Sequence, residues 1–141
     1  ESILAVTFTN KAAAEMRERA RGLVGEVLGR YEAKGLAIEA LELRRIDASF
    51  ADAHYAEHVD KAWYPPLRDF ITSGPLVALI LSGDSAIDAV RTLNGVTDGR
   101  AAAPGSIRGD LSLSNRMNIV HASDSPESAA REISLWFGDH A

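Results

Sequence analysis

The sequence predicts a one-domain α/β sandwich, and three observations carry that reading. Four short runs of apolar and β-branched residues alternate with stretches of helical spacing. Their order, β-α-β-(αα)-β-α-loop-β-α, contains the recurrent βαββαβ pattern. The size and balance, 141 residues at 46% hydrophobic and 25% charged, suit one globular unit and not two.

Ile3 to Thr9 reads as the first strand. Lys11 to Arg21 is rich in Ala, Glu, Met and Arg, good helix formers that Thr9 or Asn10 could cap. Leu23, Val24, Val27, Leu28 and Tyr31 continue at helical spacing to a stop at Gly35. Leu36 to Leu43 suggests a second strand ending at Arg44-Arg45. Asp47 is placed to cap a helix over Ala48 to His58, and Leu67 to Ile71 reads as another short helix. After Gly74-Pro75, the unbroken apolar run Leu76 to Leu81 suits a buried central strand. Asp84 is placed to cap a helix over Ser85 to Leu93. Asn94 to Ser114 reads as a long functional loop. Asn118 to Val120 is a short strand, and Ser125-Pro126 starts a helix running to about Trp136.

Composition narrows the chemistry. The absence of cysteine excludes disulfides, thiolate nucleophiles and thiolate metal sites. No stretch reaches the ~20 apolar residues of a membrane span. Ile3 to Phe8 is too short for a signal-peptide core, so the expected location is cytoplasmic. A formal net charge of -5 argues against a nonspecific nucleic-acid coat, which needs dense positive charge. It leaves room for one small anion held by a local arginine cluster. His54 and His58 have a chelating helical spacing, but they read as solvated helix residues, and no metal ligand set is expected.

The stretch Asn118 to Ser125 is the most informative one. His121 lies where a strand ends and a helix begins, a junction rich in free backbone donors. It reads either as a satisfied structural histidine or as a nucleophile at neutral pH. Arg91, Thr97 and Arg108 lie on the preceding helix and the glycine-bearing loop. Arginine forks match phosphate oxygens, and phosphoryl transfer needs chiefly positioning and charge compensation. Glu132, on the last helix, reads either as surface or as an inward carboxylate orienting the imidazole. Trp63 and Tyr64 read either as core packing or as an aromatic platform for a base.

Taken together, several stretches resemble the nucleoside diphosphate kinase family. They are Arg21 to Gly25, His54-Tyr55, Phe70 to Pro75, Ala103 to Asp110, Asn118 to Ser125, Glu127 to Ala129 and Glu132-Ile133. They fall in the family's order across residues 21 to 137. The resemblance implies a ferredoxin-like βαββαβ sandwich with an antiparallel sheet over residues 21–141, preceded by an atypical segment 1–20. It implies ping-pong transfer of a terminal phosphate between nucleoside tri- and diphosphates, with Mg²⁺ carried by the nucleotide, in a homo-tetramer or homo-hexamer. By motif, His121 resembles the phosphorylated histidine, Glu132 its carboxylate partner, Tyr55 a neighbouring pocket tyrosine and Ser123 the serine beside it. Arg91, Thr97 and Arg108 resemble the phosphate-binding set, and Asn118 the residue near the sugar 3'-hydroxyl. Trp63 takes the place of the base-stacking phenylalanine, with Leu67 next to it.

The chain departs from the family pattern in three places. Ala122 replaces the glycine after the histidine, which would be strained if the position needs a positive φ. Lys61-Ala62-Trp63-Tyr64 replaces Lys-Pro-Phe-Phe. Before Arg21-Gly22 the family's Lys-Pro-Asp-Gly-Val-x is missing, and Glu15 stands where the phosphate-contacting lysine belongs. Lys11 is the one lysine upstream, with Arg17 and Arg19 as further sources of charge. Residues 3–20, with Thr7-Phe8-Thr9-Asn10-Lys11-Ala12-Ala13-Ala14-Glu15-Met16, instead resemble a motif of UvrD-type superfamily 1 DNA helicases. The expected function is an active kinase. The alternative is a catalytically impaired homologue that binds nucleotides or partners, and nucleic-acid binding through the helicase-like stretch ranks third.

Overall fold

A computed structural model of the chain describes residues 1–8, 17–113 and 120–138. Its elements follow the expected order. They are β1 (Ser2–Phe8), α1 (Arg17–Ala33), β2 (Ala37–Arg44), α2 (Ala48–His54), α3 (Tyr64–Ile71), β3 (Leu76–Ser82), α4 (Ala86–Asn94), α5 (Ile107–Leu111), β4 (Val120–Ala122) and α6 (Pro126–Phe137). The strands form one sheet in the order β2-β3-β1-β4, with every pairing antiparallel. This is the mixed α/β, ferredoxin-like arrangement that the sequence implied.

Alternation along the strands divides the core into two layers. Ile3 and Ala5 face one side of the sheet with Leu79 and Leu81, packed against Val27 of α1 and Val90 of α4. Leu4 and Val6 face the other side with Leu76 and Ala78, packed against Ile71 of α3 and Trp136 of α6. The unbroken apolar run of β3 is explained by burial on both faces. β1 belongs to the segment set apart in the sequence, yet it lies inside the sheet between β3 and β4. Its register places Val6 opposite His121.

Several local expectations need correction. Helix α2 ends at His54 and not at His58, because Tyr55 leaves helical geometry at φ -101 and ψ 34. The chain then runs through turns closed by His58 N–H to the Tyr55 carbonyl and Lys61 N–H to the His58 carbonyl. Helix α3 starts earlier than expected, at Tyr64, because Pro65 and Pro66 fill first-turn positions that need no N–H partner. Asp84 does not cap α4. Ser85 occupies that position in a left-handed conformation, without a side-chain cap. The long loop contains α5, capped by the Ser106 hydroxyl accepting from Gly109 N–H. The expected strain at Ala122 is absent: it lies in β4, and Ser85 is the one non-glycine residue with positive φ among those described. The expected helix from Lys11 is seen from Arg17 onward, and residues 9–16 lie outside the described residues.

The expected cap of α2 and the expected start of α6 both hold. Asp47 accepts from Phe50 N–H at 2.8 Å, and Ser125 accepts from Ser128 N–H at 3.1 Å. The second cap fixes the start of α6 directly after β4. That junction sets the spacing between His121 on the strand and Glu132 on the helix.

Candidate active site

A cleft of about 560 Å³ opens where the end of β4, the start of α6 and the loops around α2, α3 and α5 meet. His121, Glu132, Tyr55, Trp63, Leu67, Arg91, Thr97 and Arg108 all line it. Eight residues singled out in sequence therefore converge on one cavity. Ser123 lies beneath the cleft, fully buried. Lys11 and Asn118 lie outside the described residues.

The centre is a hydrogen-bonded trio. Nε2 of His121 lies 2.9 Å from Oε1 of Glu132. The same carboxylate oxygen accepts from the Ser123 hydroxyl at 3.0 Å. Glu132 is buried, so the inward reading of this residue is the correct one. A carboxylate accepts hydrogen bonds, so the neutral imidazole places its proton on Nε2. The lone pair is then on Nδ1. Tyr55 stands edge-on to His121 at 5.9 Å between ring centroids. Burial above all raises its phenol pKa, so the ring is neutral at physiological pH.

The cationic wall is built from the loop. Arg108 donates from Nη1 to the Gly95 carbonyl and from Nη2 to the Val120 carbonyl, each at 2.7 Å. Burial, the largest influence, lowers its pKa from the ordinary value, but guanidinium stays charged. Arg91 is exposed and reaches the Ala122 carbonyl at 3.4 Å. Two glycines let the loop close. Gly95 has φ +82, and a Cβ on Gly109 would run into the Ala103 carbonyl. Trp63 is 50% exposed on the rim, 5.2 Å from His58 between ring centroids, so it is not a core residue.

Sequence reasoning missed His54. Its polar neighbours predict a solvated residue, but it is 5% exposed and packs edge-on to His121 at 4.6 Å. Its position three residues after buried Ala51 was the available signal. Arg131 was also passed over. It donates from Nη2 to the His54 carbonyl at 2.9 Å and lines the cleft.

His54, His121 and Glu132 each offer one ligand atom, all within 4.8 Å of one another. Their hydrogen bonds oppose chelation. Nδ1 of His54 accepts from Trp136 Nε1–H at 2.9 Å, so its proton sits on Nε2. A metal on Nε2 would require that proton to move to Nδ1, where it would face a second N–H.

Comparison with known proteins agrees with this geometry. The nucleoside diphosphate kinase family model matches residues 17–141. The chain belongs to the nucleoside diphosphate kinase family. A nucleoside diphosphate kinase of Nocardioides sp. is 71% identical over 117 residues, 83% of this chain and 87% of that protein. One from Cutibacterium acnes is 57% identical over 117 residues, 83% of this chain and 85% of its own length. Among solved structures, a halophilic nucleoside diphosphate kinase from Halobacterium salinarum in complex with CDP superposes with a TM-score of 0.89 at 39% identity. That match covers 99% of this chain and 88% of the halophilic one. Family membership makes the chain a phosphotransferase. The helicase-like reading of residues 3–20 finds no support in these matches.

Proposed function

We propose that the chain carries the terminal phosphate of a nucleoside triphosphate on Nδ1 of His121 and passes it to a nucleoside diphosphate. The 2.9 Å contact between His121 Nε2 and Glu132 carries this reading, because it leaves Nδ1 with no hydrogen-bond partner among the described residues, in a cleft walled by Arg108. In the first half-reaction the Nδ1 lone pair forms a bond to the terminal phosphorus. The bond from phosphorus to the bridging oxygen breaks, and the diphosphate leaves. The ring becomes cationic, and Glu132 compensates that charge through Nε2–H. The second half-reaction is the reverse with a different diphosphate, which is ping-pong order.

Arg108, Arg91 and Thr97 would hold the phosphate oxygens, where planar forks and hydroxyls match them. Trp63 would stack on the base with Leu67 beside it, and exposure of its ring supports that role. Asn118 and Lys11 keep their suggested parts, near the sugar 3'-hydroxyl and as a source of charge, from the family resemblance alone. The cleft offers guanidinium, hydroxyl and imidazole groups, with Glu132 already engaged. That donor set fits a Mg²⁺ held by the nucleotide's own phosphates. When bound, the ion would neutralise phosphate charge.

Residues 1–20 and 21–141 work as one unit in this reading, since β1 supplies an inner strand. Leu41 and Leu43 stand 52% and 67% exposed on edge strand β2, which supports burial between copies in a tetramer or hexamer. A cytoplasmic location would suit the nucleotide substrates. The test is transfer from labelled ATP to an unlabelled diphosphate of another base. Parallel initial-rate lines support the reading; hydrolysis without transfer would contradict it.

A further inference from the structure

Arg108 pairs with no carboxylate among the described residues. Its terminal nitrogens are held by two main-chain carbonyls, so the guanidinium sits where those carbonyls put it. Val120 is fixed by pairing with Thr7 in the sheet. Gly95 belongs to no helix or strand and has φ +82. What holds Gly95 therefore also decides where Arg108 points.

Gly95 caps α4, its N–H donating to the Arg91 carbonyl at 3.1 Å, and α1 secures the residue before it. Tyr31 donates its hydroxyl to Oδ1 of Asn94 at 2.5 Å, and both residues are 1% exposed. Asn94 ends α4 and directly precedes Gly95. The neighbouring residue of α1, Arg30, pairs with Asp110 at 2.8 Å and donates to the Gly105 carbonyl at 3.3 Å. The loop carrying Arg108 is thus gripped by α1 at two points. A continuous path runs from Tyr31 through Asn94, Gly95, Arg108 and Val120 to the nucleophile.

Stability does not account for the buried pair. Nδ2 of Asn94 is buried with no partner among the described residues. A half-satisfied polar pair in an apolar layer is less favourable than an aliphatic pair of the same shape. We propose that Tyr31 and Asn94, assisted by Arg30, are positioning residues that set the Arg108 guanidinium for phosphate oxygens. The proposal rests on the reading of His121 as phosphate carrier.

The experiment measures phosphohistidine formation from labelled ATP, without acceptor, at saturating nucleotide. The Tyr31→Phe/Asn94→Leu double variant replaces both polar partners by apolar groups of matching branching. It should unfold at or above the original temperature, yet form phosphohistidine at least about tenfold more slowly, and in separate steady-state transfer assays kcat should fall more than KM rises. Arg30→Met, at a partly exposed position, should slow the same step by about threefold or more, and it decides the question if the double variant does not fold. Labelling at the original rate in the folded variants would overturn the buttress and leave the function standing. Failure of the unaltered protein to label would remove the function and the buttress with it.

Discussion

Trp136 Nε1–H donates to Nδ1 of His54 across 2.9 Å, and this buried bond fixes the tautomer of the ring that packs against His121. With Nδ1 engaged, His54 has no acceptor left and presents a neutral N–H edge to its surroundings. A second positive charge beside His121 would oppose the cationic ring formed during phosphate transfer. Burial, then the charges of His121 and Arg131, hold the His54 pKa down to about 2.

That depression has a sign in stability. In the unfolded chain His54 takes up a proton below its ordinary pKa of about 6.5, whereas in the folded chain it stays neutral down to about 2. The unfolded state therefore binds more protons throughout this window, and His54 costs stability as pH falls from about 6.5. His54→Gln keeps an acceptor for Trp136 and does not titrate. Its unfolding free energy should fall less steeply with acid between about pH 6.5 and 4, by up to about 1.4 kcal/mol per unit. Urea unfolding at several pH values measures the slope. Equal slopes would show that His54 titrates normally.

Arg108 and Glu132 should differ in weight. Arg108→Ala removes a preorganised charge facing the phosphate and should lower kcat/KM by about 10²–10³-fold. Glu132→Gln keeps an acceptor for Nε2–H but loses the negative charge behind the ring, and should lower it by about 10–100-fold. Steady-state kinetics on both variants gives the ranking. A larger loss from Glu132→Gln would mean that charge behind the imidazole outweighs charge on the phosphate.

Trp63 provides the test of base recognition. Its half-exposed ring offers a flat face that any base can use. Trp63→Ala should weaken nucleotide binding by about 1–3 kcal/mol, to a similar extent for purines and pyrimidines. Calorimetric titration with ADP and CDP checks this. Loss confined to one base would point to edge recognition elsewhere in the cleft.

Much of this arrangement is legible in the sequence. The run Leu76 to Leu81 announced a strand buried on both faces, and Ser125-Pro126 announced where α6 begins. Those two features already place His121 beside the helix that carries Glu132. The end of α2 was not legible. Residues 55 to 58 have helical composition, and the break comes at Tyr55, whose ring packs against His121 and Tyr64, partners distant in sequence. His54 escaped notice for a related reason. A histidine among polar neighbours reads as solvated until Trp136, far along the chain, supplies its partner. The Tyr31–Asn94 bond likewise joins residues whose proximity only the tertiary fold creates.

The most direct measurement is the identity of the phosphorylated nitrogen. After incubation with ATP and removal of free nucleotide under alkaline conditions, ³¹P NMR of the protein distinguishes phosphate on Nδ1 of a histidine from phosphate on Nε2. Because Nε2 of His121 is held by Glu132, the account predicts a single Nδ1-phosphohistidine resonance, absent from His121→Ala. A resonance from Nε2-phosphohistidine, or one that persists in His121→Ala, would contradict it.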